Sequence, residues 1–551
     1  MRSPSWVLPY AAFLLLFGTG YLAILPPFEG FDEFAHYSSL RQVAQTATLP
    51  VFGASYIDEV VVRYRGPMPY GSGAPPFDPL LGAKSYAEFF ESATDRKNYL
   101  RDYREQGIGP RFRASHIFNW EAQQPPLYYL VMTPVMWATD RASFVTQLFV
   151  LRLVSYLLAV AGVLLGLAAT RKDERLRLPG ALGFVCYPFL LPQFVPEFAR
   201  IGNDSLCLFL LGWLMHLMVD SKQGPRRRWK PCFVGVILGL GMLTKAFFLP
   251  ITLAVIVWVE LGRLDSRNDA SGIRQMERRD VAAIVITSVV VGGWWYIDRF
   301  LTFGLVTDTD DAIRMAQAGG LLSGLSKHFS SAAILRGWAT IPVTWTWTGT
   351  WSLTHLPTYL HLPLVLLVLW TISEFIVQLR RRTLRDINWL TLLMILGVCA
   401  GLMLRTLQAI AAGGNGNTPG WYQHILMPWV AVALGIGVSA ILQRRFTRGL
   451  FIVLTGYAVL FQATAVWSEV ALFSGCATKG ADKLFDFSTP MYCLDRFPLV
   501  IDRLGILAWP GLAVSAFSGA VACAFWLASI SRRQGLFSGL KPRVLEMADR
   551  L

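Results

Sequence analysis

Residues 6–25 read WVLPYAAFLLLFGTGYLAIL and run directly into Pro26-Pro27-Phe28-Glu29-Gly30-Phe31-Asp32-Glu33-Phe34-Ala35-His36. The apolar segment is long enough, at about 1.5 Å per helical residue, to cross the roughly 30 Å hydrocarbon core of a bilayer once. No small-x-small cleavage site precedes Pro26, so the segment reads as a retained anchor and not as a removed signal peptide. A cluster of acids therefore stands at the membrane surface immediately after the first span, and the rest of the chain is read outward from that junction.

The 551 residues are 54% hydrophobic and 13% aromatic, with only 16% charged, and the mean hydropathy of +0.44 suits a polytopic membrane protein. The formal charge of +14 would suggest nucleic acid in a soluble chain. Here the basic residues fall in short runs between apolar segments: Arg171 to Arg175, Arg226 to Lys230, Arg274 to Arg279, Arg380 to Arg382, Arg444-Arg445 and Arg532-Arg533. That is positive-inside patterning, and it excludes nucleic acid as a partner. The chain contains no zinc-spaced Cys/His set, P-loop or dinucleotide fingerprint.

Placing every basic run on one face gives an all-α protein of about twelve spans with both termini cytoplasmic. They lie near 6–25, 144–170, 178–196, 204–220, 231–245, 246–260, 281–297, 356–378, 388–407, 421–442, 449–467 and 507–530. Pro126 to Ala138 is too short for an ordinary span and reads as an interfacial or re-entrant helix. The pair 231–245 and 246–260 is the weakest assignment, since both segments are short. Outer polar mass then gathers in loops at about 26–125, 298–355 and 468–506, within one membrane domain covering 1–551. No internal repeat or low-complexity linker divides it. Cys186, Cys207, Cys232, Cys399 and Cys523 fall in or at apolar spans, whereas Cys476 and Cys493 share the third outer loop, where an oxidising compartment allows a disulfide.

If a helix starts at Pro27, then Glu29, Glu33 and His36 recur on one face, and Asp32 and His36 stand one turn apart. Such a face supplies a proton-accepting carboxylate, or donors for a divalent metal such as Mg or Mn from Asp32, Glu33 and His36. The competing reading is that Asp32 and Glu33 cap a surface helix. Further charges stand at outer edges: Glu197 and Arg200 before Gly202-Asn203-Asp204-Ser205, Lys245 in a short turn, Asp298-Arg299 after Trp294-Trp295-Tyr296, and Trp421-Tyr422-Gln423-His424 at the start of a span. Charges near apolar segments are costly unless paired, solvated or functional. Each has an ordinary explanation: an interfacial belt for the tryptophans, snorkelling for Arg299, a structural ion pair for Lys245 and a satisfied core position for His424. Together, basic groups facing an acid cluster suit an anionic lipid headgroup with a reacting neighbour.

The chain resembles the GT-C type glycosyltransferases, the integral-membrane class that includes protein O-mannosyltransferases and the aminoarabinose transferases of lipid A. The similarity rests on Pro-Pro-x-x-x-x-Asp-Glu-x-x-His after the first span, Gln124-Pro125-Pro126-Leu127-Tyr128-Tyr129, Arg200-x-x-Asn203-Asp204-Ser205-Leu206, Leu243-Thr244-Lys245 and Trp294-Trp295-Tyr296. It implies a GT-C-like fold with large outer loops, a polyprenyl-phosphate sugar donor and an outward-facing site in a bacterial inner membrane. Asp32 matches the family's catalytic aspartate and would act as general base for an acceptor hydroxyl on a lipid, glycan or protein, with inversion at the sugar. Glu33 would assist it, with His36 orienting the base. Lys245, Arg200, Arg299, His424 and Tyr422 would bind the donor phosphate. The stretch around Tyr422 lacks the arginine expected beside that tyrosine in related chains. A surface-polysaccharide ligase or polymerase, which relies on Arg and His, and a secondary transporter, which shows repeats and midplane sites, are the competing classes.

Overall fold

A computed structural model describes residues 6–67, 84–107, 111–219, 228–265, 278–307, 310–380, 382, 386–477, 493–507 and 509–533. The basic runs at 226–230, 274–279 and 380–382, and much of the third outer loop, lie partly outside these residues. Among the described residues, eight helical stretches are long and apolar enough to cross a bilayer: Val7–Ile24, Phe144–Thr170, Arg278–Phe303, Thr358–Leu379, Ile387–Ala411, Gly420–Gln443, Phe446–Phe473 and Pro510–Ser529. Asp204–Met218, Lys230–Met242 and Phe248–Gly262 are shorter apolar helices. The chain is thus an α-helical multi-pass membrane protein, with eight full-length candidate spans among the described residues.

Outward faces of these helices carry Val290, Leu301 and Val453, 70%, 78% and 69% exposed. A water-soluble protein would not expose so much apolar surface on its longest helices, whereas lipid accepts it without cost. By contrast Gly420–Gln443 is 94% buried, the central post of the bundle. Small residues permit that burial. A Cβ on Gly435 would fall 1.7 Å from the Pro179 carbonyl oxygen, and one on Gly183 would fall 1.6 Å from that of Ala431, so the two helices touch backbone to backbone.

The chain breaks between Lys230–Met242 and Phe248–Asp265, as expected for two segments and not one. Leu127–Ala138 forms a 12-residue helix containing Pro134, too short to span at about 1.5 Å per residue. Between Val7–Ile24 and Phe144–Thr170 the described residues form short helices and a small antiparallel ribbon of Tyr56–Asp58 and Ala114–Phe118. Between Arg278–Phe303 and Thr358–Leu379 lie Asp310–Gln317, Leu321–His328 and Ser331–Thr346. Cys476 and Cys493 are disulfide-bonded, with Cα atoms 5.8 Å apart.

One local expectation fails. The helix after the first span is Glu33–Thr46, so Pro27 does not begin it and Glu29 does not share its face. Phe28 and Asp32 adopt left-handed backbone conformations, at φ 65° and 54°, which interrupt any helix started at the prolines.

Candidate functional site

The turn at Asp32 is built by close packing. A Cβ on Gly30 would lie 2.5 Å from Arg200 Cβ, so only glycine lets the loop press against the 197–204 turn. Phe31 stacks on Trp421 at 4.2 Å and 6°, with Trp351 edge-on at 6.1 Å. The left-handed Asp32 starts the helix through its backbone: its carbonyl accepts from the amides of Ala35 and His36, both at 3.0 Å. Its side chain makes no cap hydrogen bond. Instead Trp120 Nε1 donates to Oδ1 at 2.9 Å, and the residue is half-buried. A left-handed aspartate whose carboxylate leaves the helix end to its backbone is strained by about 1–3 kcal/mol, a cost commonly met at functional sites.

Glu33 points elsewhere. Arg152, from the middle of Phe144–Thr170, grips both its oxygens, Nε to Oε1 at 2.7 Å and Nη2 to Oε2 at 2.5 Å. The amides of Ile201 and Phe28 donate to the same carboxylate at 3.1 Å each. Arg152 also donates to the carbonyls of Leu25 and Pro26. Glu33 is therefore a buried structural anchor, tying the end of the first span to the neighbouring helices, and its lone pairs are committed. The expected catalytic or metal role of Glu33 has no oxygen left to serve it.

His36 is also buried. Its Nδ1 pairs with Tyr129 Oη at 2.9 Å, and its Nε2 lies 3.7 Å from Glu121 Oε2. Burial, then the charges of Arg200 and Lys245, hold its pKa well below the usual histidine range, so it is neutral at physiological pH. Glu121, which the sequence analysis did not single out, is pushed up to about 8 by burial and by the neighbouring charge of Asp32. Asp32 itself is raised by burial, with the Trp120 hydrogen bond and the charges of Arg200, Lys245 and Arg405 opposing. The two carboxylates lie close enough that the charge of one raises the pKa of the other. Among the described residues no group of three or more His, Cys, Asp or Glu side chains is disposed to hold a metal ion, so Asp32, Glu33 and His36 do not converge as a ligand set.

Opposite this pair stands a cationic frame centred on Asp204. Arg200 Nη2 donates to Asp204 Oδ2 at 3.0 Å and Lys245 Nζ to Oδ1 at 2.6 Å. Arg200 also reaches the Phe31 carbonyl at 3.0 Å and pairs with Glu197. Burial raises the Glu197 pKa to about 8, with Arg200 opposing, and its Oε2 is buried without a hydrogen-bond partner. Lys245 also lies 4.3 Å from the Tyr422 ring centroid.

The sequence motifs meet here through named bonds. Gln124 Nε2 donates to Glu121 at 2.8 Å while its Oε1 accepts from Asn203 at 3.0 Å. Asn203 donates to the Thr244 carbonyl, Leu127 to that of Leu243, and Tyr296 to that of Met242. Tyr128 accepts from the Gly202 amide at 3.1 Å.

Two expected residues are drawn away from this frame. His424 is fully buried, with Nδ1 to Tyr187 at 3.0 Å and Nε2 to the Trp345 carbonyl at 3.0 Å, a satisfied core histidine. Arg299 pairs with Asp298 at 2.6 Å and lies over the rings of Trp295 and Phe303, as an interfacial arginine does. In their place the structure supplies Arg405, from the apolar helix Ile387–Ala411, whose charge acts on Asp32. A lone arginine in such a helix was the available signal.

Fold and site define a multi-pass membrane protein with a buried acid–cation cluster. The chain belongs to the family described as a predicted membrane protein, DUF2142, which matches residues 15–419. No curated protein matches it in sequence. Similar solved structures include ArnT from Cupriavidus metallidurans bound to undecaprenyl phosphate, at 11% identity and TM-score 0.44, covering 95% of this chain and 77% of that one. Another is the Archaeoglobus fulgidus oligosaccharyltransferase in complex with zinc and sulfate, at 11% identity and TM-score 0.43, covering 83% of this chain and 54% of that one.

Proposed function

We propose that the chain is a membrane glycosyltransferase that moves a sugar from a polyprenyl-phosphate donor to an acceptor hydroxyl on the outer face of the membrane. The observation that carries this reading is the half-buried Asp32 carboxylate, held by Trp120 and by a strained turn in the field of Arg200, Lys245 and Arg405. Asp32 takes the acceptor proton as that oxygen bonds to the anomeric carbon. The bond from carbon to phosphate oxygen breaks, its electron pair leaves with the lipid phosphate, and configuration inverts. Lys245, Arg200 and Arg405 offset the charge that grows on the leaving phosphate. Glu121, protonated at neutral pH, adds no negative charge to repel the donor. The five motifs shared with GT-C enzymes support the same reading, since four of them meet around this frame and the fifth is tied beneath it through Tyr296.

The test is turnover of a polyprenyl-phosphate sugar by the full chain in lipid nanodiscs, for wild type and Asp32→Asn. Loss of transfer with donor binding retained supports a base at Asp32. Full activity in Asp32→Asn sinks the mechanism. Activity that instead depends on arginine and histidine positions, with Asp32 dispensable, would favour the polysaccharide ligase class.

A further inference from the structure

Glu29 takes no part in the reaction proposed above, yet it is fully buried and collects donors from two distant segments. Its Oε1 accepts from the Thr350 hydroxyl at 2.6 Å and from the Ser352 amide at 2.7 Å, while its Oε2 accepts from the Tyr86 hydroxyl. Its own carbonyl accepts from the Trp351 amide at 2.8 Å. Residues 350–352 therefore all hang on this one residue. Glu29 also stands between Phe28 and Asp32, whose left-handed conformations persist only where surrounding contacts over-determine them. Arg200 fixes this turn at the Phe31 carbonyl and Glu33 fixes it at the Phe28 amide. Glu29 ties it to a further body, the loop 347–354.

That loop follows the helix Ser331–Thr346 and precedes Thr358–Leu379. It is irregular and mostly buried, so its backbone polar groups need partners that no helix supplies. Gln193 meets part of that need: its Oε1 accepts from the amides of Thr348 and Gly349 at 2.8 and 3.0 Å, and its Nε2 donates to the Gly349 carbonyl at 2.8 Å. Trp347 Nε1 donates to the Thr354 carbonyl at 2.9 Å. Glu29 takes the amides of Trp351 and Ser352. So held, Trp351 sets its ring edge-on to Phe31 at 6.1 Å and to Phe34 at 5.9 Å. Phe34 in turn lies edge-on to Trp120 at 4.9 Å, and Trp120 donates to Asp32. Bonds and rings thus close a circuit from Glu29 through Trp351, Phe34 and Trp120 back to the Asp32 carboxylate. Releasing Glu29 loosens both the turn that carries Asp32 and the indole that orients it.

We propose that Glu29 is a positioning residue for Asp32, holding its carboxylate in place through residues 350–352 and the ring of Trp351. The inference rests on Asp32 being the general base of the transfer proposed above. The experiment uses the full chain in lipid nanodiscs and reads three quantities: sugar transfer from a polyprenyl-phosphate sugar, donor affinity by titration, and the indole N–H resonance of Trp120 in isotope-labelled protein. Loss of one resonance in Trp120→Phe assigns it. Glu29→Ala is expected to lower kcat by about 10²-fold, the scale of a misplacement of roughly 1 Å, with donor affinity as in wild type and the Trp120 resonance displaced. Glu29→Gln still accepts from Thr350 and Ser352 through its amide oxygen and donates to the Tyr86 oxygen, so it should recover most of the turnover. Glu29→Ala also strands buried donors, so Trp351→Leu decides the matter if that variant does not fold. It keeps the backbone bond to Glu29, removes only the ring, and should lower kcat by about tenfold with the resonance again displaced. An unmoved Trp120 resonance in the folded variants overturns the proposal. So does turnover that falls only as folded protein falls, or a Gln variant as impaired as the Ala variant. The resonance is read without turnover, so full activity in Asp32→Asn refutes the base, an unmoved resonance refutes the positioning, and the two failures are told apart.

Discussion

Asp32 and Glu33 are neighbours in sequence and opposites in circumstance. Asp32 occupies a left-handed turn with one indole donor and a half-buried carboxylate, while Glu33, one residue on, is wholly buried with four donors around it. The difference is one of geometry, since a single left-handed residue points the two carboxylates to opposite sides of the loop. One side faces the cations of the 200–245 frame, and the other faces Arg152 inside the bundle. Adjacent acids of the same chemistry can thus divide into one whose carboxylate stays partly open and one locked into the scaffold beside it.

The largest expected effect separates these roles. Asp32→Asn keeps the left-handed turn, which asparagine tolerates, and should lower transfer by about 10²–10⁴-fold, the usual contribution of a general base. Thermal unfolding should stay close to wild type. An Asn variant that is active, or that unfolds, would erase the contrast with Glu33.

Glu33→Gln and Arg152→Ala should show the converse. Removing one partner of a buried ion pair leaves an uncompensated charge, costing about 3–5 kcal/mol. Arg152→Ala also strands the carbonyls of Leu25 and Pro26. A lowered unfolding temperature in detergent, with residual activity falling only as folded protein falls, is the expected result. Unchanged stability with lost activity would move Glu33 into the chemistry.

On the cationic side, Arg405→Gln and Lys245→Met should each weaken polyprenyl-phosphate binding by about tenfold, read by titration at fixed salt. The loss should be in affinity more than in the bond-breaking step if these groups hold ground-state phosphate as well as the leaving group.

A pH series sharpens the acid pair. Glu121 and Glu197 both have pKa values raised to about 8, so each is neutral below that value and charged above it. Affinity for an anionic phosphate should therefore hold below about pH 7 and fall as pH rises through 8. Glu121→Gln should remove part of that fall and leave the share due to Glu197. By linkage, the stability contribution of each raised carboxyl is fully present below its ordinary pKa and is lost as pH rises through 8. The smallest effect belongs to Arg299→Gln, within about 0.5 kcal/mol in stability and with unaltered donor binding, as for a surface position outside the frame.

Much of this was legible from the chain alone. Lys245, Arg200, Asp204 and the Gln124–Tyr129 segment stand where charged or polar groups interrupt apolar runs, and membrane-edge charges are rarely idle. Arg152 and Arg405 carry the same signal, each a lone arginine inside a long apolar helix. Glu121 and Trp120 offered no such sign, since both sit in a polar stretch where acids and aromatics are ordinary. Tyr422 was recognised as a span start, but its stacking under Lys245 depends on the packing of two distant helices.

The sequence by itself determined that this is a multi-pass α-helical membrane protein, because hydrophobic length and periodicity are local and the bilayer leaves few other solutions. It also placed an acid cluster at the end of the first span. Only the tertiary structure decided which acid stays half-buried, which is buried against Arg152, and which cations face them. Those outcomes depend on one left-handed residue and on contacts between residues more than a hundred positions apart, and neither is written in the spacing of side chains along the chain.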